Sequence, residues 1–305
     1  MDLLFSSDNN YAQHLGVAIY SLLYHNKWCE HIVIYIIDNQ IEPSNKQKLE
    51  NVVSFFENSE IRWIPFDEWK SQLTLSMSWP ISISSYARLF VGSMLPANID
   101  RVLYLDSDMV INASLYDLWH YDLDNKVLAA VQDSIPDRVK NAVEVPATKF
   151  YFNAGLLLIN LHRWREDGIE QQCLNYIAEK EGSVLHHDQG VLNHVLQDCW
   201  HKLPLKYNVM TINYILNRKR ILNYYGEHAS FYELEEIESA KKNPVIIHYT
   251  PSFTSHPWEK NCAHPLKHLY WSFLEKTPWQ GAKVMPNLQS WKVKFINWLY
   301  LNISF

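Results

Sequence analysis

The stretch RVLYLDSDMV, residues 101–110, ends an apolar run with two aspartates one residue apart, Asp106 and Asp108. Val102, Leu103, Tyr104 and Leu105 form the uninterrupted apolar segment expected of a strand covered on both faces of a sheet. Such a strand delivers Asp106 to its carboxyl end. In an extended continuation, positions 106 and 108 project to the same side, with the backbone of Ser107 between them. Two carboxylates converging in this way repel unless a cation or a shared proton lies between them. Oxygen ligation suits Mg²⁺ or Mn²⁺, ions that keep coordination positions open for phosphate oxygens. The same aspartates also read as turn formers capping free N–H groups after a strand, and spacing alone does not separate the two readings.

Around this segment, LLFSS (3–7), HIVIYIID (31–38), IRWIPF (61–66), VLAAVQD (127–133) and AGLLLIN (154–160) alternate with helix-like stretches. That order predicts an α/β fold with a mainly parallel, doubly wound sheet flanked by helices. Residues 11–24 fit an amphipathic helix, and PSNKQKLENVVSFF (43–56) begins another with Ser44 as its N-cap. SSYARLFVGSML (84–95) reads as a third. From residue 162 the chain turns helical, in HRWREDGIEQQCLNYIAEK and HHDQGVLNHVLQ, before a last core strand, PVIIHYT (244–250), that ends with His248.

The chain has 305 residues, 48% of them apolar, enough to bury a sizeable core in one large domain or a domain with a small appendage. A net charge of −6 argues against a general nucleic-acid binder, which would present a basic face. Cys29, Cys173, Cys199 and Cys262 show none of the paired spacings of a zinc or redox motif and read as reduced structural thiols. The start, MDLLFSSDNN, is acidic and enters a strand pattern at once, without a secretion signal's basic start and long apolar stretch. We therefore expect a cytoplasmic location, with the inner face of the membrane as the alternative raised by the tail described below. No window approaches the length of a membrane span.

In open α/β sheets, ligands bind at the carboxyl ends of strands, where Asp8, Asp106, Asp108, Asp133 and His248 all fall. His248 would complete a metal shell with the two aspartates and raise its preference for Mn²⁺. The first strand-to-helix turn, SSDNNYAQHLG, lacks a P-loop or G-x-G-x-x-G, so side chains and a metal would have to hold any nucleotide. Asp8 and Asn10 offer an acceptor and a donor to a base edge, and Tyr11 a ring to stack on it. Capping of the following helix by Asp8 or Asn9 is an equally good account, compatible with the first.

Together FSSDNNY, ISISSYARLF, RVLYLDSDMV, FNAGLLLINLHRWR, HHDQGVLN and VIIHYT resemble glycosyltransferase family 8, in order and at compatible spacing over about residues 1–260. The resemblance is to its bacterial α-galactosyl and α-glucosyl transferases. It implies a GT-A fold, a UDP-sugar donor, Mn²⁺ with Mg²⁺ as the alternative, and transfer with retention of configuration. By the same resemblance the metal ligands fall on Asp106, Asp108 and His248, and the nucleotide contacts on Asp8, Asn10, Tyr11 and Ser107, with Arg88 approaching the donor. Asp133, Asn153, Asp188 and Gln189 match residues that hold the donor sugar and line the reacting face, while Ala154 and Gly155 allow close backbone approach. Gln189 is the family's group beneath the sugar. A glutamine is a poor nucleophile, which favours front-face attack with the leaving phosphate taking the acceptor's proton, and leaves Asp188 as the fallback nucleophile.

One departure stands out. The family commonly closes its site with His, Gly and Lys-Pro-Trp, the lysine reaching the diphosphate, whereas this chain reads HYTPSFTSHPWEKNC. His256 occupies the lysine position and Lys260 is the nearby alternative. We expect a catalytic domain over residues 1–260 and a helical extension over 261–305. Its tail, residues 288–304, combines Trp291, Val293, Phe295, Ile296, Trp298, Leu299 and Leu301 with Lys292 and Lys294. That composition suits either docking on the catalytic domain or a membrane interface. The expected partners are a UDP-sugar, galactose before glucose, and a surface glycan or glycoprotein acceptor, with no nucleic acid. Competing readings are a nucleotidyltransferase, disfavoured by only 8 glycines, and a non-catalytic sugar-binding or chaperone-like partner derived from a transferase.

Overall fold

The apolar runs fold into β1 (Asp2–Asp8), β2 (Ile32–Asn39), β3 (Ser59–Pro65), β4 (Arg101–Leu105), β5 (Met109–Ile111), β6 (Leu128–Gln132), β7 (Phe152–Asn160), β8 (Trp200–Lys202), β9 (Val209–Met210) and β10 (Ile246–His248). These come from a computed structural model that describes residues 1–76, 83–226, 231–287 and 289–302. Ile81 and Ser82 of the ISISSYARLF motif, Leu288, residues 303–305 and the side chains of Phe295, Ile296, Leu299 and Leu301 lie outside the described set.

A seven-stranded sheet runs in the order β3-β2-β1-β4-β7-β6-β8, and a three-stranded sheet in the order β5-β10-β9. The large sheet is parallel except at β7, which runs antiparallel to both β4 and β6. The reversal has a consequence for the site. β7 begins where β4 and β6 end, so Asn153, Ala154 and Gly155 face the residues that follow those two strands. Alternation along the strands buries both faces. Leu3, Phe5, Ile34, Ile36, Leu103 and Leu158 pack on one side with α1 (Ala12–His25) and α2 (Pro43–Ser54). Leu4, Tyr35, Ile37, Val102, Leu157 and Ile159 pack on the other, with residues of the helices Leu161–Glu166, Ile169–Glu179 and His187–Val195.

Four local expectations are corrected. Ser44 does not cap α2. The cap position is the extended Glu42, and Pro43 opens the helix, its ring presetting φ where no N–H partner is needed. The segment Ile83–Phe90 winds as a 3₁₀ helix, with a single α turn at Val91–Met94, so side chains three residues apart stand in line along it. The strand carrying His248 lies in the small sheet rather than the main core sheet, paired with β5 and β9. Finally, Asp106 and Asp108 do not alternate along an extended chain. β4 stops at Leu105, and residues 106–108 form the turn into β5.

Residues beyond 257 join the core. Trp258, Tyr270, Phe273 and Leu274 cluster with Val17 of α1, Val110 and Ile247. Gly16 lets this segment approach, since a Cβ there would stand 2.5 Å from the Trp279 ring. The tail forms a helix, Trp291–Asn302, whose Trp291 and Trp298 are 71% and 57% exposed, so these rings are not buried by docking. Among the described residues, no helix is long and apolar enough to cross a membrane.

His264 sits fully buried in this C-terminal layer, its ring beside Tyr214 and Tyr249, and its Nδ1 accepts the Leu266 N–H at 3.1 Å. Burial pushes its pKa down from 6.5 to about 4. The folded chain therefore holds the neutral ring while the unfolded chain takes a proton as pH falls below 6.5. Stability is then lost between pH 6.5 and 4, by about 3 kcal/mol at the lower end. His264→Asn keeps an acceptor near the Nδ1 position without the titration. Thermal melts across this range should show a shallower acid loss for the variant, and identical slopes would exclude the assignment.

Candidate active site

The turn after β4 and the end of β10 bring Asp106, Asp108 and His248 together, with one ligand atom from each lying within 4.8 Å of the others. His248 Nε2 is 3.1 Å from Asp108 Oδ1 and 3.9 Å from Asp106 Oδ2. The far side of the ring is held as well, because Nδ1 lies 2.9 Å from Asn208 Oδ1. The Asn208 contact aims Nε2 at the two carboxylates, as outer-shell partners of metal-binding histidines do. Burial alone would lower the His248 pKa, but Asp108 and Asp106 outweigh it and the ring is pushed toward imidazolium. Asp108 is brought down to about 2, against burial, by His248 and then His256. Asp106 is pushed up by burial, with Arg88 opposing. The cluster thus demands positive charge at its centre. Two carboxylates and an imidazole fit a divalent cation, and Gly155 leaves the space for one: a Cβ there would lie 2.5 Å from His248 Cε1 and 2.7 Å from Asp106 Oδ2.

Beside the cluster, a hydrogen-bonded web joins the strand ends. Gln189 Nε2 donates to Asp133 Oδ2 at 2.9 Å, and Gln189 Oε1 accepts the Ala154 N–H at 3.0 Å. Asn153 Nδ2 donates to Asp133 Oδ2 and to Gln189 Oε1, at 3.2 and 3.3 Å. Asn153 Oδ1 accepts from the Gly155 N–H and from Asn208 Nδ2, at 3.0 and 2.9 Å. Asp133, Gln189, Asn153, Asn208 and His248 are therefore one connected network. The orientation of the Gln189 amide is set by what it touches at both ends.

Arg88 lies under this network rather than in open space, 4% exposed. Its Nη2 donates to Asp106 Oδ1 at 2.9 Å, its Nε faces Asp188 Oδ2 at 3.0 Å, and its Nη1 donates to the Ala154 carbonyl. The guanidinium also stacks 4.3 Å above the Tyr104 ring, whose hydroxyl donates to Asp106 Oδ1. Burial alone would lower its pKa; Asp106, Tyr104 and Asp188 reverse that and hold it above its ordinary value. Arg88 is permanently charged, and its donors address protein acceptors.

The amino-terminal end supplies a depression of about 190 Å³ lined by Asp8, Tyr11, Ser85, Arg88, Asp106 and Ser107. Asp8 Oδ1 caps the turn by accepting the Asn10 and Tyr11 N–H groups, so the capping account holds, and Asn10 and Tyr11 remain exposed at the rim. Among the described residues, the buried hydroxyls of Ser85 and Ser107 have no hydrogen-bond partner. They are spare polar groups at the wall of the depression.

His256 is half-buried, and Lys260 is exposed. The His256 ring stacks on Trp258 at 4.5 Å, Trp258 stacks on His14 at 3.7 Å, and His256 Nδ1 lies 3.3 Å from Glu259 Oε2. The backbone N–H of Lys260 is tied to the Met285 carbonyl at 2.9 Å. Sequence reasoning missed Asn208 and Asn193. Asn193 accepts the Phe152 N–H and donates to the Phe152 and Gln189 carbonyls, pinning the start of β7 to the helix His187–Val195. Its signal was a lone asparagine on the apolar face of VLNHVL, since such a residue needs buried partners.

Comparison with known proteins agrees with this geometry. The profile of glycosyl transferase family 8 matches residues 2–262. A putative glycosyltransferase of Haemophilus influenzae is 31% identical over 268 residues, covering 87% of this chain and 74% of the relative. The lipopolysaccharide 1,2-glucosyltransferase of Escherichia coli is 27% identical, covering 92% of this chain and 79% of the relative. The crystal structure of galactosyltransferase LgtC in complex with donor and acceptor sugar analogs matches with a TM-score of 0.73 at 25% identity, covering 91% of this chain and 96% of that one. The fold is thus the GT-A fold.

Gly155→Ala should fill the cradle between His248 and Asp106, and Asn208→Ala should free the His248 ring. Mn²⁺ titration followed by electron paramagnetic resonance is expected to show affinity weakened on the order of 10–100-fold for Asn208→Ala, and at least as much for Gly155→Ala. Affinities equal to wild type in both would exclude this cation site.

Proposed function

Since the chain belongs to glycosyl transferase family 8, we propose that it moves a hexosyl group from a UDP-sugar to a hydroxyl of a surface glycan or glycoprotein, with retention of configuration. Galactose is the first choice of sugar and glucose the second, the chemistries named for LgtC and for the Escherichia coli relative. The observation that carries the reading is the convergence of the Asp106–Asp108–His248 cluster with the Asp133–Gln189–Asn153 network at the junction of β4, β6 and β7. One half suits a diphosphate and the other a sugar.

In this assignment Asp106, Asp108 and His248 hold Mn²⁺, or Mg²⁺. The bound ion supplies countercharge for the diphosphate as it leaves. Asp8, Asn10, Tyr11 and Ser107 take the nucleoside end. Asp133, Asn153 and the backbone at Ala154 and Gly155 take the sugar hydroxyls. Arg88 is a positioning residue that sets Asp106 and Asp188. His256 offers a ring N–H to the diphosphate in place of a lysine.

The carboxylates near the sugar favour front-face attack. Asp188 is buried in its pair with Arg88, and Asp133 already accepts from Gln189, Asn153 and the Ser134 N–H. Gln189 Oε1 is likewise occupied by Ala154 and Asn153. None is a free nucleophile. The bond from the anomeric carbon to the phosphate oxygen breaks while the acceptor oxygen bonds to that carbon from the same face, and the acceptor's proton passes to the departing phosphate. The amide oxygen of Gln189 and the carboxylate of Asp133 would stabilise the positive charge that develops on the sugar.

The replacement of the expected lysine by His256 is the one observation favouring a non-catalytic sugar-binding partner, and the same experiment addresses both readings. UDP release should be measured from UDP-galactose and UDP-glucose with and without Mn²⁺. Wild type is expected to turn over one donor in a metal-dependent way, and Asp108→Ala to abolish it. No turnover of either donor, together with no Mn²⁺-dependent UDP binding by calorimetry, would move the protein to the binding role. Calorimetry on His256→Ala should show UDP affinity weakened by about tenfold, the worth of one charge-assisted hydrogen bond. Unchanged affinity would remove His256 from the diphosphate site.

A further inference from the structure

The helix His187–Val195, which carries Asp188 and Gln189, is entered in an unusual way. Its N-cap position, His186, has φ 60° and ψ 16° and makes no side-chain capping bond, and His187 follows with φ 55°. An N-cap residue is ordinarily extended, and a left-handed residue is ordinarily Gly or Asn, because a Cβ crowds the following carbonyl oxygen there. Among the described residues, His186 and His187 are the only non-glycine neighbours in sequence that both take positive φ. Two strained residues in succession persist only where their surroundings hold them.

The surroundings supply three holds. The His187 N–H donates to the Val184 carbonyl at 3.1 Å, closing a turn whose third residue is His186. Gly190 lets that turn lie against the helix, since a Cβ there would stand 2.1 Å from the Leu185 carbonyl oxygen. Each imidazole then meets a buried tyrosine. His186 Nδ1 is 3.4 Å from the Tyr151 hydroxyl and His187 Nδ1 is 3.5 Å from the Tyr86 hydroxyl, with edge-on ring contacts at 6.0 and 6.3 Å. These four anchors stand two positions before four residues of the crevice: Tyr86 leads to Arg88, Tyr151 to Asn153, His186 to Asp188 and His187 to Gln189. The clamp therefore ties the helix to the two segments that Asp188 and Gln189 themselves contact, through Arg88 and the Ala154 N–H, each at 3.0 Å.

Resting on the transferase reading, we propose that His186 and His187 are positioning residues for the transfer: the left-handed turn they form, clamped by Tyr151 and Tyr86, fixes where Asp188 and Gln189 face the sugar. In this role the imidazoles act through the backbone they hold. The demand on that backbone is strict, because a misplacement of about 1 Å at a reacting centre can cost on the order of 100-fold in rate. Asparagine is the conservative replacement, since it accepts the left-handed conformation and its side-chain amide stands as many bonds from the backbone as Nδ1 does.

The test uses the full chain, with each histidine replaced in turn by Gly, Ala and Asn, and the double variant Tyr86→Phe/Tyr151→Phe. Melting temperature, kcat for UDP release from the donor that turns over, and Mn²⁺-dependent UDP affinity by calorimetry are measured on all of them. At each histidine the Ala variant is expected to melt about 2 °C or more below the Gly variant, the reverse of the usual order, because glycine takes φ near 60° without crowding. Gly variants that melt no higher than Ala variants would overturn the strained turn and the proposal with it. The Gly variants and the double Phe variant should lose kcat on the order of tenfold with UDP affinity unchanged, and the Asn variants should recover it. Gly variants at the wild-type kcat would overturn the proposal. Asn variants as slow as the Gly variants would also do so, since the imidazole would then act on its own account. A loss of UDP affinity matching the loss of kcat would mark general damage to the crevice and likewise count against positioning. A wild type that turns over neither donor would fail the transferase reading and this proposal together, whereas an active wild type with unimpaired variants would fail the proposal alone.

Discussion

The arrangement of the crevice depends on one buried ion, the guanidinium of Arg88. It sits beneath the strand ends with Asp106 on one side and Asp188 on the other, and its third direction is taken by the Ala154 carbonyl. Each contact ties down a different element: the turn after β4, the helix His187–Val195 and the start of β7. Removing a partner from such a buried pair leaves the other charge uncompensated, at a cost of about 3–5 kcal/mol. Arg88 thus fixes the positions of the two carboxylates it contacts. That role explains why the residue is an arginine, since a lysine could not address three acceptors in fixed directions and stack on Tyr104 at the same time.

From this anchor the site divides by charge. Asp106, Asp108 and His248 form an acidic hollow whose electrostatics favour a cation, while Asp133, Gln189 and Asn153 form a hydrogen-bonding wall that carries a single carboxylate. The two are joined through Asn208, which hydrogen-bonds to Asn153 with its amide and to His248 with its carbonyl. A shift of this wall would therefore be felt at His248. Such coupling fixes the two halves of the site relative to one another.

The C-terminal layer bears on the site through stacking rather than charge. His14 on α1, Trp258 and His256 form a column of parallel rings, and Tyr270 fixes His14 by a 2.7 Å contact to its Nδ1. His256, before Pro257, therefore has a packing role that a lysine would not fill in the same way. His256 is held flat against Trp258 and aimed by Glu259, so its place in the crevice is set by ring contacts as much as by electrostatics.

Much of this was legible in the chain itself. Apolar runs ending in Asp8, Asp106 and Asp133 disclosed the strands and the end of the sheet at which ligands bind, because burial on both faces requires continuous apolar sequence and the polar residue that follows must emerge at the edge. The D-x-D pair and the histidine ending β10 disclosed the charge of the site. What required the tertiary structure was direction and partnership. Only packing turned Asp106 and Asp108 together on a turn instead of a strand, reversed β7 so that Asn153 and Gly155 meet them, and buried Arg88 between two acids. Asn208 and Asn193, which hold His248, Asn153 and Phe152 by hydrogen bonds, are ordinary polar residues in sequence, because a hydrogen bond between segments distant in the chain leaves no periodic trace in either. Composition and pattern therefore determined which elements form and which chemistry the strand ends offer. The long-range contacts decided which of those groups face one another.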